Sequence, residues 1–174
     1  AFAQHMLASC NEQGMVGTVM PHGVLFRGGQ EEKIRKALIN KDLVEAVIGL
    51  APNLFYGTGI PACLIILNKN KPKNRRGKVL FIYGANDVQE GKNQNSLKAE
   101  DVEKLAEAFQ SCEDSDKFSR VVPISEIEEN DFNLNITRYV DVAEEEEQID
   151  VAEELKKLRA LEAERAEAEK VMYA

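Results

Sequence analysis

The stretch that decides the fold reads VMPHGVLFRGGQEEKIRKALI at 19–39 and, after a short gap, VIGLAPNLFYGTGIPACLIILNKNK at 47–71. Apolar residues recur at helical spacing over 30–40, whereas 43–50 and 61–68 are short, nearly uninterrupted apolar runs that are typical of buried strands. Only about ten residues join the two runs, too few for a helical crossover. We therefore predict that these two strands pair antiparallel.

The segments before this stretch extend the same pattern. Residues 1–13 place Phe2, Met6 and Leu7 on one face at helical spacing and stop at Gly14, which predicts a helix. Residues 15–20 form another apolar run, rich in Val and Thr, that ends at Pro21 and predicts a buried strand. The order helix, strand, helix, strand predicts an α/β fold with a parallel sheet.

Downstream, the sequence predicts a basic turn at 69–78, a fourth strand at 79–83, an amphipathic helix at 100–109 and a short strand at 121–124. From Asp141 onward the amino-acid composition changes. Residues 149–172 contain neither Gly nor Pro, which predicts one long helix. We therefore divide the chain into an α/β domain at 1–142 and a C-terminal helical tail at 143–174.

Composition places the chain among water-soluble globular proteins. Hydrophobic residues make up 44% and charged residues 30% of its 174 residues, and no apolar run approaches the roughly 18 residues needed to cross a bilayer. No signal peptide is evident at 1–13. We expect a cytoplasmic location and no membrane partner.

The net charge of −8 is unevenly distributed along the chain. Residues 141–174 hold 12 acidic and 5 basic residues, which leaves 18 acidic and 17 basic residues for 1–140. Because an acidic tail repels phosphate, any contact with DNA needs a local basic patch or a partner protein. Composition alone therefore does not indicate a DNA-binding protein.

Cysteine usage indicates neither a disulfide framework nor a metal site. Cys10, Cys63 and Cys112 are odd in number, widely spaced and without CxxC or nearby His partners. We expect reduced, partly buried thiols and no bound metal.

Several motifs in order resemble one family. The two quoted stretches, GKNQN at 91–95, and NDFNLNI at 130–136 followed by Arg138 and Tyr139 resemble the second half of the catalytic domain of type I restriction-modification methylation subunits. The likeness covers about residues 1–142. Members of this family are S-adenosylmethionine-dependent N6-adenine DNA methyltransferases that work with a DNA-specificity subunit and a restriction subunit.

The resemblance implies a partial Rossmann-like methyltransferase fold. The strands at 15–20, 43–50 and 61–68 would correspond to its fifth, sixth and seventh strands, the seventh being an antiparallel insertion, and the outer edge of 15–20 would be left unpaired. In this family a Gly-rich loop holds the methionine end of the cofactor, and an Asn-Pro-Pro-aromatic motif holds the target amine. Neither motif occurs here. The expectation is a fragment that contains no catalytic residue, does not bind S-adenosylmethionine and is inactive by itself.

The resemblance also implies a pocket for the target base. In related adenine methyltransferases an aromatic residue before the seventh strand stacks on the flipped adenine, and the matching position is Phe55, next to Tyr56. Pro21 and His22 end a strand at its carboxyl edge, which the family places beside this pocket. The alternatives are packing roles for the aromatics and a simple loop hydrogen bond for His22.

Basic side chains supply candidate contacts to the DNA backbone. The candidates are Arg27, in the loop after His22, and Lys71, Lys73, Arg75 and Arg76 in the basic turn. For Arg27 a surface salt bridge is the alternative. For the turn, the alternative is a solvated hairpin, because no aromatic residues are interleaved to stack on bases.

The tail is a candidate for subunit docking. Val151, Leu155, Leu158 and Leu161 form an apolar stripe of about three turns, too short for a sustained coiled coil, so a lone helix needs something to pack against. We expect it to pack on the DNA-specificity subunit. Two other functions stay open: a noncatalytic assembly module that docks this subunit, and a stand-alone nucleic-acid-binding domain, which the acidic balance disfavours.

Overall fold

A computed structural model describes residues 2–91 and 94–142, together with the single positions 158, 161 and 165. The chain divides into two compact units, residues 1–142 and 143–174. Leu158, Leu161 and Arg165 are helical, whereas Val151 and Leu155 of the predicted stripe lie outside the described residues. The rest of this section concerns the first unit.

The described residues of this unit form five strands and four α-helices. In chain order they are α1 (Phe2–Ser9), β1 (Met15–Pro21), α2 (Gln30–Asn40), β2 (Val44–Leu50), β3 (Ala62–Asn68), β4 (Lys78–Gly84), α3 (Ala99–Ser111), β5 (Ser119–Pro123) and α4 (Ile124–Glu129). Short 3-10 turns lie at His22–Leu25, Lys73–Arg75 and Ile136–Arg138. The predicted elements are confirmed, with α2 at its predicted bounds, whereas α4 was not predicted.

The strands form one mixed sheet in the order β1-β3-β2-β4-β5. β3 is antiparallel to both of its neighbours, β2 and β4 are parallel, and β4 and β5 are antiparallel. The predicted antiparallel pairing of β2 with β3 is confirmed. The prediction of a parallel sheet was wrong: β1 and β2 run in the same direction, but β3 returns between them because its connection from β2 is too short to cross the sheet.

One face of the sheet carries the larger core. Val47, Cys63, Leu67 and Phe81 are buried there beneath α1, α2 and the segment 132–142. That segment includes residues 132–136 of the motif at 130–136, and its Leu134 N–H donates to the Leu25 carbonyl at 2.9 Å. The Tyr139 ring stacks on Phe81 with centroids 4.4 Å apart. The motif therefore packs on this face of the sheet, against the strands of the quoted stretch.

The other face is covered mainly by α3, whose Leu105 packs with Ala46, Ile48, Leu80 and Ile82. β1 lies at the edge of the sheet, and its Met15 and Val19 are exposed on this second face whereas Val16 is buried on the first. The prediction of a fully buried strand at 15–20 was therefore wrong for one face, because a strand at the sheet edge lies beyond the reach of the covering helix.

Candidate functional site

The carboxyl end of β1 carries Pro21 and His22, and the next residues form a single 3-10 turn. The Nε2 atom of His22 lies 3.0 Å from the carbonyl oxygen of Ala62, the first residue of β3. Because a carbonyl oxygen only accepts, the imidazole donates in this contact. His22 thus ties the turn after β1 to the start of β3, in agreement with the alternative of a loop hydrogen bond.

The loop between β2 and β3, residues 51–61, is called the aromatic loop below. It projects two aromatic side chains toward solvent: Phe55 is 40% exposed and Tyr56 is 92% exposed. Phe55 borders two clefts, one of about 300 Å³ and a more open one of about 530 Å³. Both clefts therefore offer aromatic surface to a planar ligand.

Two side-chain amides from another segment hold the backbone of the aromatic loop. Gln94 Nε2 donates to the Leu54 carbonyl at 2.8 Å, and Asn95 Nδ2 donates to the Pro52 carbonyl at 2.9 Å. The Asn95 backbone N–H also donates to the Asn53 carbonyl at 2.8 Å. At the tip, Gly57 adopts φ 73°, a left-handed conformation that L side chains rarely adopt. Gly57 thus permits the turn at the tip of the loop, and the hydrogen bonds from Gln94 and Asn95 hold its base.

The four predicted pocket residues fall into two pairs. Phe55 and Tyr56 share both clefts with Gln94. Pro21 and His22 line neither cleft, although Pro21 is in register with Ala62, directly after the aromatic loop. The structure places the aromatic pair at the clefts and does not place the β1 pair there. The motif at 91–95 was noted in the sequence without a role, and two of its residues, Gln94 and Asn95, hold this loop.

The segment between β3 and β4, residues 69–78, is called the basic segment below. It is not a hairpin, because β2 lies between the two strands that it joins. Lys71 is buried: its Nζ donates to Asp42 Oδ1 at 2.6 Å, to the Val44 carbonyl at 3.1 Å and to the Lys78 carbonyl at 2.6 Å. All three N–H groups of the ammonium are used within the fold, so Lys71 is not retained as a phosphate contact.

Arg75 is also used within the fold. Its guanidinium pairs with the buried carboxylate of Glu45 at 2.9 Å and donates to the carbonyls of Phe109 and Gln110 at the end of α3. Cations at a helix C-terminus satisfy its last carbonyls and its dipole. Arg75 therefore fastens α3 to the sheet, and it too is not retained as a phosphate contact.

Three of the basic candidates stay accessible. Arg27, Lys73 and Arg76 are exposed. Among the described residues, Lys73 makes no hydrogen bond or ion pair, and Arg76 donates only through Nε to the Lys71 carbonyl at 3.1 Å. Lys73 and Arg76 are therefore available to a ligand, whereas the guanidinium of Arg27 lies close to Gly23.

A buried arginine that sequence reasoning missed organises the turn after β1. Arg35 of α2 donates to the Phe132 carbonyl at 2.7 Å and to the carbonyls of Val24 and Arg27 at 3.0 Å each. Burial lowers the pKa of this arginine from its ordinary value. Its position four residues before the buried Ile39 was the available signal, since residues at that spacing share a helix face.

The sequence and fold can now be compared with known proteins. The family model described as N-6 DNA methylase matches residues 1–148. This chain belongs to that family. The match confirms the resemblance inferred from the motifs between residues 19 and 139.

Named relatives of this chain agree with this family assignment. The MjaVII type I restriction enzyme methylase subunit of Methanocaldococcus jannaschii is 43% identical over 165 residues, which cover 93% of this chain and 28% of that protein. A type I methyltransferase subunit from Streptococcus thermophilus superposes with a TM-score of 0.77 at 45% identity, covering 82% of this chain and 30% of that one. This chain therefore spans less than a third of the length of each of these two proteins.

At the turn after β1 and around the aromatic loop, the described residues do not form a site for the cofactor of such methyltransferases. The turn after β1 passes through His22–Leu25 before α2 begins, so it is not the tight strand-to-helix glycine loop that phosphate and cofactor sites use. The sequence contains no Asn-Pro-Pro-aromatic motif either. Neither cleft beside Phe55 is lined by a carboxylate or a cation that would hold a ribose or an amino acid.

The three cysteines line neither cleft beside Phe55. Burial raises the pKa of the Cys63 thiol to about 12, and its Sγ lies 3.4 Å from the Met20 carbonyl. Cys10 and Cys112 are half-buried, so the expectation of partly buried thiols is confirmed. Within the part of the chain that the structure describes, no His, Cys, Asp and Glu cluster has metal-site geometry, and no helix has the length and hydropathy of a membrane span.

Proposed function

We propose that this chain is part of the modification subunit of a type I restriction-modification system, whose intact form transfers methyl from S-adenosylmethionine to N6 of adenine in DNA. The support is the family and the identity to type I methylase subunits over nearly the whole chain. We further propose that β1, β2 and β3 are the fifth, sixth and seventh strands of the methyltransferase sheet, with β3 as the antiparallel insertion. A cytoplasmic location and specificity and restriction subunits as partners are part of this proposal.

The observation that carries the proposal is the aromatic loop. An adenine amine inside a duplex is inaccessible to in-line methyl transfer, so the base must leave the stack and find an aromatic or apolar face. Phe55 presents such a face at the carboxyl edge of the sheet, where open α/β sheets bind ligands.

The chain's own residues would then act by binding and positioning. Phe55 stacks on the extruded base, and Tyr56 beside it offers a second exposed ring. Arg27, Lys73 and Arg76 are the accessible cations that contact the phosphate backbone. His22 and Arg35 hold the turn after β1 through their bonds to backbone carbonyls. The cofactor supplies the methyl group and is bound by other parts of the intact protein.

The test uses the full-length subunit assembled with its partners. Phe55→Ala should reduce methylation about 5- to 150-fold, because base stacking on an aromatic side chain is worth roughly 1–3 kcal/mol. Phe55→Trp should retain most of the activity. The matched control is Phe26→Ala, which removes an aromatic that is 49% exposed and lines neither cleft. Equal activity of the alanine and tryptophan variants at 55 would show that Phe55 does not stack on the base.

One observation favours the second candidate function, a noncatalytic assembly module that docks the specificity subunit. Leu158 and Leu161 are exposed helical residues in the unit 143–174. Deletion of residues 143–174 should leave the α/β unit folded and abolish co-purification of the full-length subunit with the specificity subunit. Survival of co-purification would place the docking surface elsewhere, and unfolding of the truncated chain would mean that the tail packs internally.

We also propose that the 174-residue chain does not bind S-adenosylmethionine by itself. The support is the absence of the glycine loop and of the Asn-Pro-Pro-aromatic motif. Calorimetric titration of the chain with the cofactor should show no saturable heat. Tight stoichiometric binding would refute this proposal and would place a cofactor site within these residues.

A further inference from the structure

Gln94 and Asn95 lie far from the aromatic loop in sequence but contact its base in space. We infer that these two residues, called the amide clamp below, are positioning residues that hold the aromatic loop so that Phe55 presents its ring to the target base. This inference rests on the proposed function for the identity of the ligand. The clamp itself rests on the contacts between the two segments.

The hydrogen bonds of the clamp are directional and specific to amides. Asn95 uses both ends of its side chain: Nδ2 donates to the Pro52 carbonyl at 2.9 Å, and Oδ1 accepts from the Gly91 N–H at 3.3 Å. Gln94 Nε2 donates to the Leu54 carbonyl, the residue immediately before Phe55. Only a side chain that both donates and accepts can bridge a carbonyl and an N–H in this way.

The two ends of the segment that carries the clamp are hydrogen-bonded to each other. Gln89 and Ser96 exchange backbone hydrogen bonds at 2.8 and 3.0 Å, which brings the two ends of 89–96 together. The Asn95 N–H donates to the Asn53 carbonyl. Three consecutive carbonyls of the aromatic loop, those of Pro52, Asn53 and Leu54, are therefore held by Gln94 and Asn95.

The clamp also borders the place where the base would lie. Gln94 lines both clefts beside Phe55, and Asn95 lines the larger one. A loop that rests on so few anchors loses its conformation when one of them is removed, because the tip residues Phe55 and Tyr56 are exposed and contribute little packing. The orientation of the Phe55 ring is therefore set by residues about 40 positions away.

The first experiment measures the clamp without reference to catalysis. In the 174-residue chain, Asn95→Asp and Gln94→Glu keep the size of each side chain but remove the N–H donor. Amide hydrogen exchange of residues 51–60 should accelerate roughly 2- to 10-fold, as expected for loss of one hydrogen bond. Gln110→Glu, an exposed position on α3, controls for the added charge. Unchanged exchange in both clamp variants would overturn the inference.

Neutral variants separate the clamp from charge. Gln94→Met and Asn95→Ala add no carboxylate and should accelerate exchange in the same direction. If only the acidic variants accelerate exchange, repulsion by the carboxylate is responsible and the clamp is refuted. Thermal midpoints of all variants show whether the body of the fold stays intact during these measurements.

The second experiment asks whether the clamp acts through Phe55. In the full-length assembled enzyme, Asn95→Ala should lower methylation several-fold in the wild-type background and have little further effect once Phe55 is alanine, since residues that act through one another are non-additive. An equal loss in both backgrounds would overturn the positioning role. If Phe55→Ala alone leaves methylation unchanged, the proposed function fails, whereas the hydrogen-exchange result still decides whether the clamp exists.

Discussion

The basic segment and the aromatic loop differ in how their side chains and backbones are used. In the basic segment, Lys71 and Arg75 point into the fold, where their cations satisfy Asp42, Glu45 and four backbone carbonyls. In the aromatic loop, Phe55 and Tyr56 point outward while the backbone is held by the amides of Gln94 and Asn95. From residue type alone, the cations would be expected to contact a ligand at the surface and the aromatic residues would be expected to lie in the core.

The two regions differ because of the groups that surround each side chain, not because of the chemistry of the side chain itself. A cation within reach of a buried carboxylate and unsatisfied carbonyls stabilises the fold by staying there, because leaving would strand those acceptors without partners. An aromatic ring at a loop tip has no such acceptors, so it stays exposed unless a partner covers it. The following predictions test this difference from its largest to its smallest effect.

The largest effect is expected from Arg75→Ala. This change leaves the nearly fully buried Glu45 carboxylate without its cation, and breaking a buried pair typically costs about 3–5 kcal/mol. Urea denaturation of the chain should show this loss in the free energy of unfolding. Arg76→Ala is the matched control and should cost less than about 1 kcal/mol, since its side chain is exposed and makes one hydrogen bond. Equal losses at the two positions would contradict the internal role of Arg75.

A somewhat smaller effect is expected from Lys71→Ala. Asp42 is partly exposed and keeps its bond from the Gly77 N–H, so part of the lost interaction is replaced by water. We expect the free energy of unfolding to fall by about 2–3 kcal/mol, the range for hydrogen bonds to a charged group. Lys73→Ala should change it by no more than about 0.5 kcal/mol. If Lys71→Ala left the free energy of unfolding unchanged, Lys71 would again be a candidate for contact with DNA.

The smallest effect is expected in the aromatic loop. Phe55→Ala should lower the free energy of unfolding of the chain by less than about 1 kcal/mol, and Tyr56→Ala by less than about 0.5 kcal/mol, because both rings are exposed. Phe81→Ala, which removes a fully buried ring stacked on Tyr139, should cost about 3–5 kcal/mol. If Phe55→Ala approached the cost of Phe81→Ala, Phe55 would be a core residue and the comparison between the two regions would fail.

Sequence reasoning succeeded where the physics is local. The bounds of α2 follow from the spacing of its apolar residues, and the antiparallel return of β3 follows from the length of the loop before it. It failed where neighbours come from elsewhere in the chain. The run at 15–20 was predicted to be a buried strand from its local composition, whereas the resemblance indicated an unpaired outer edge, and β1 does lie at an edge of the described sheet. The basic segment was predicted to be a turn or hairpin, because the position of β2 between β3 and β4 cannot be read from the local sequence.

The candidate site divides in the same way. The aromatic pair Phe55 and Tyr56 could be identified from its place before a predicted strand and from its likeness to a family. Which basic residues stay accessible could not, since Asp42 and Glu45 are about 30 residues away from the cations that they hold. Gln94 and Asn95 belonged to a motif that was visible in the sequence, but its role depended on contacts with residues 52–54.

By itself, the sequence determined the kinds of elements, their order and the membership of the N-6 DNA methylase family, because periodicity and motifs are properties of short segments. Only the tertiary structure decided which cations are internal, which ring faces are exposed and what holds the aromatic loop. The physical reason is that a hydrogen bond or an ion pair is satisfied by whichever group the fold brings within about 3 Å, and chain distance places no limit on that choice.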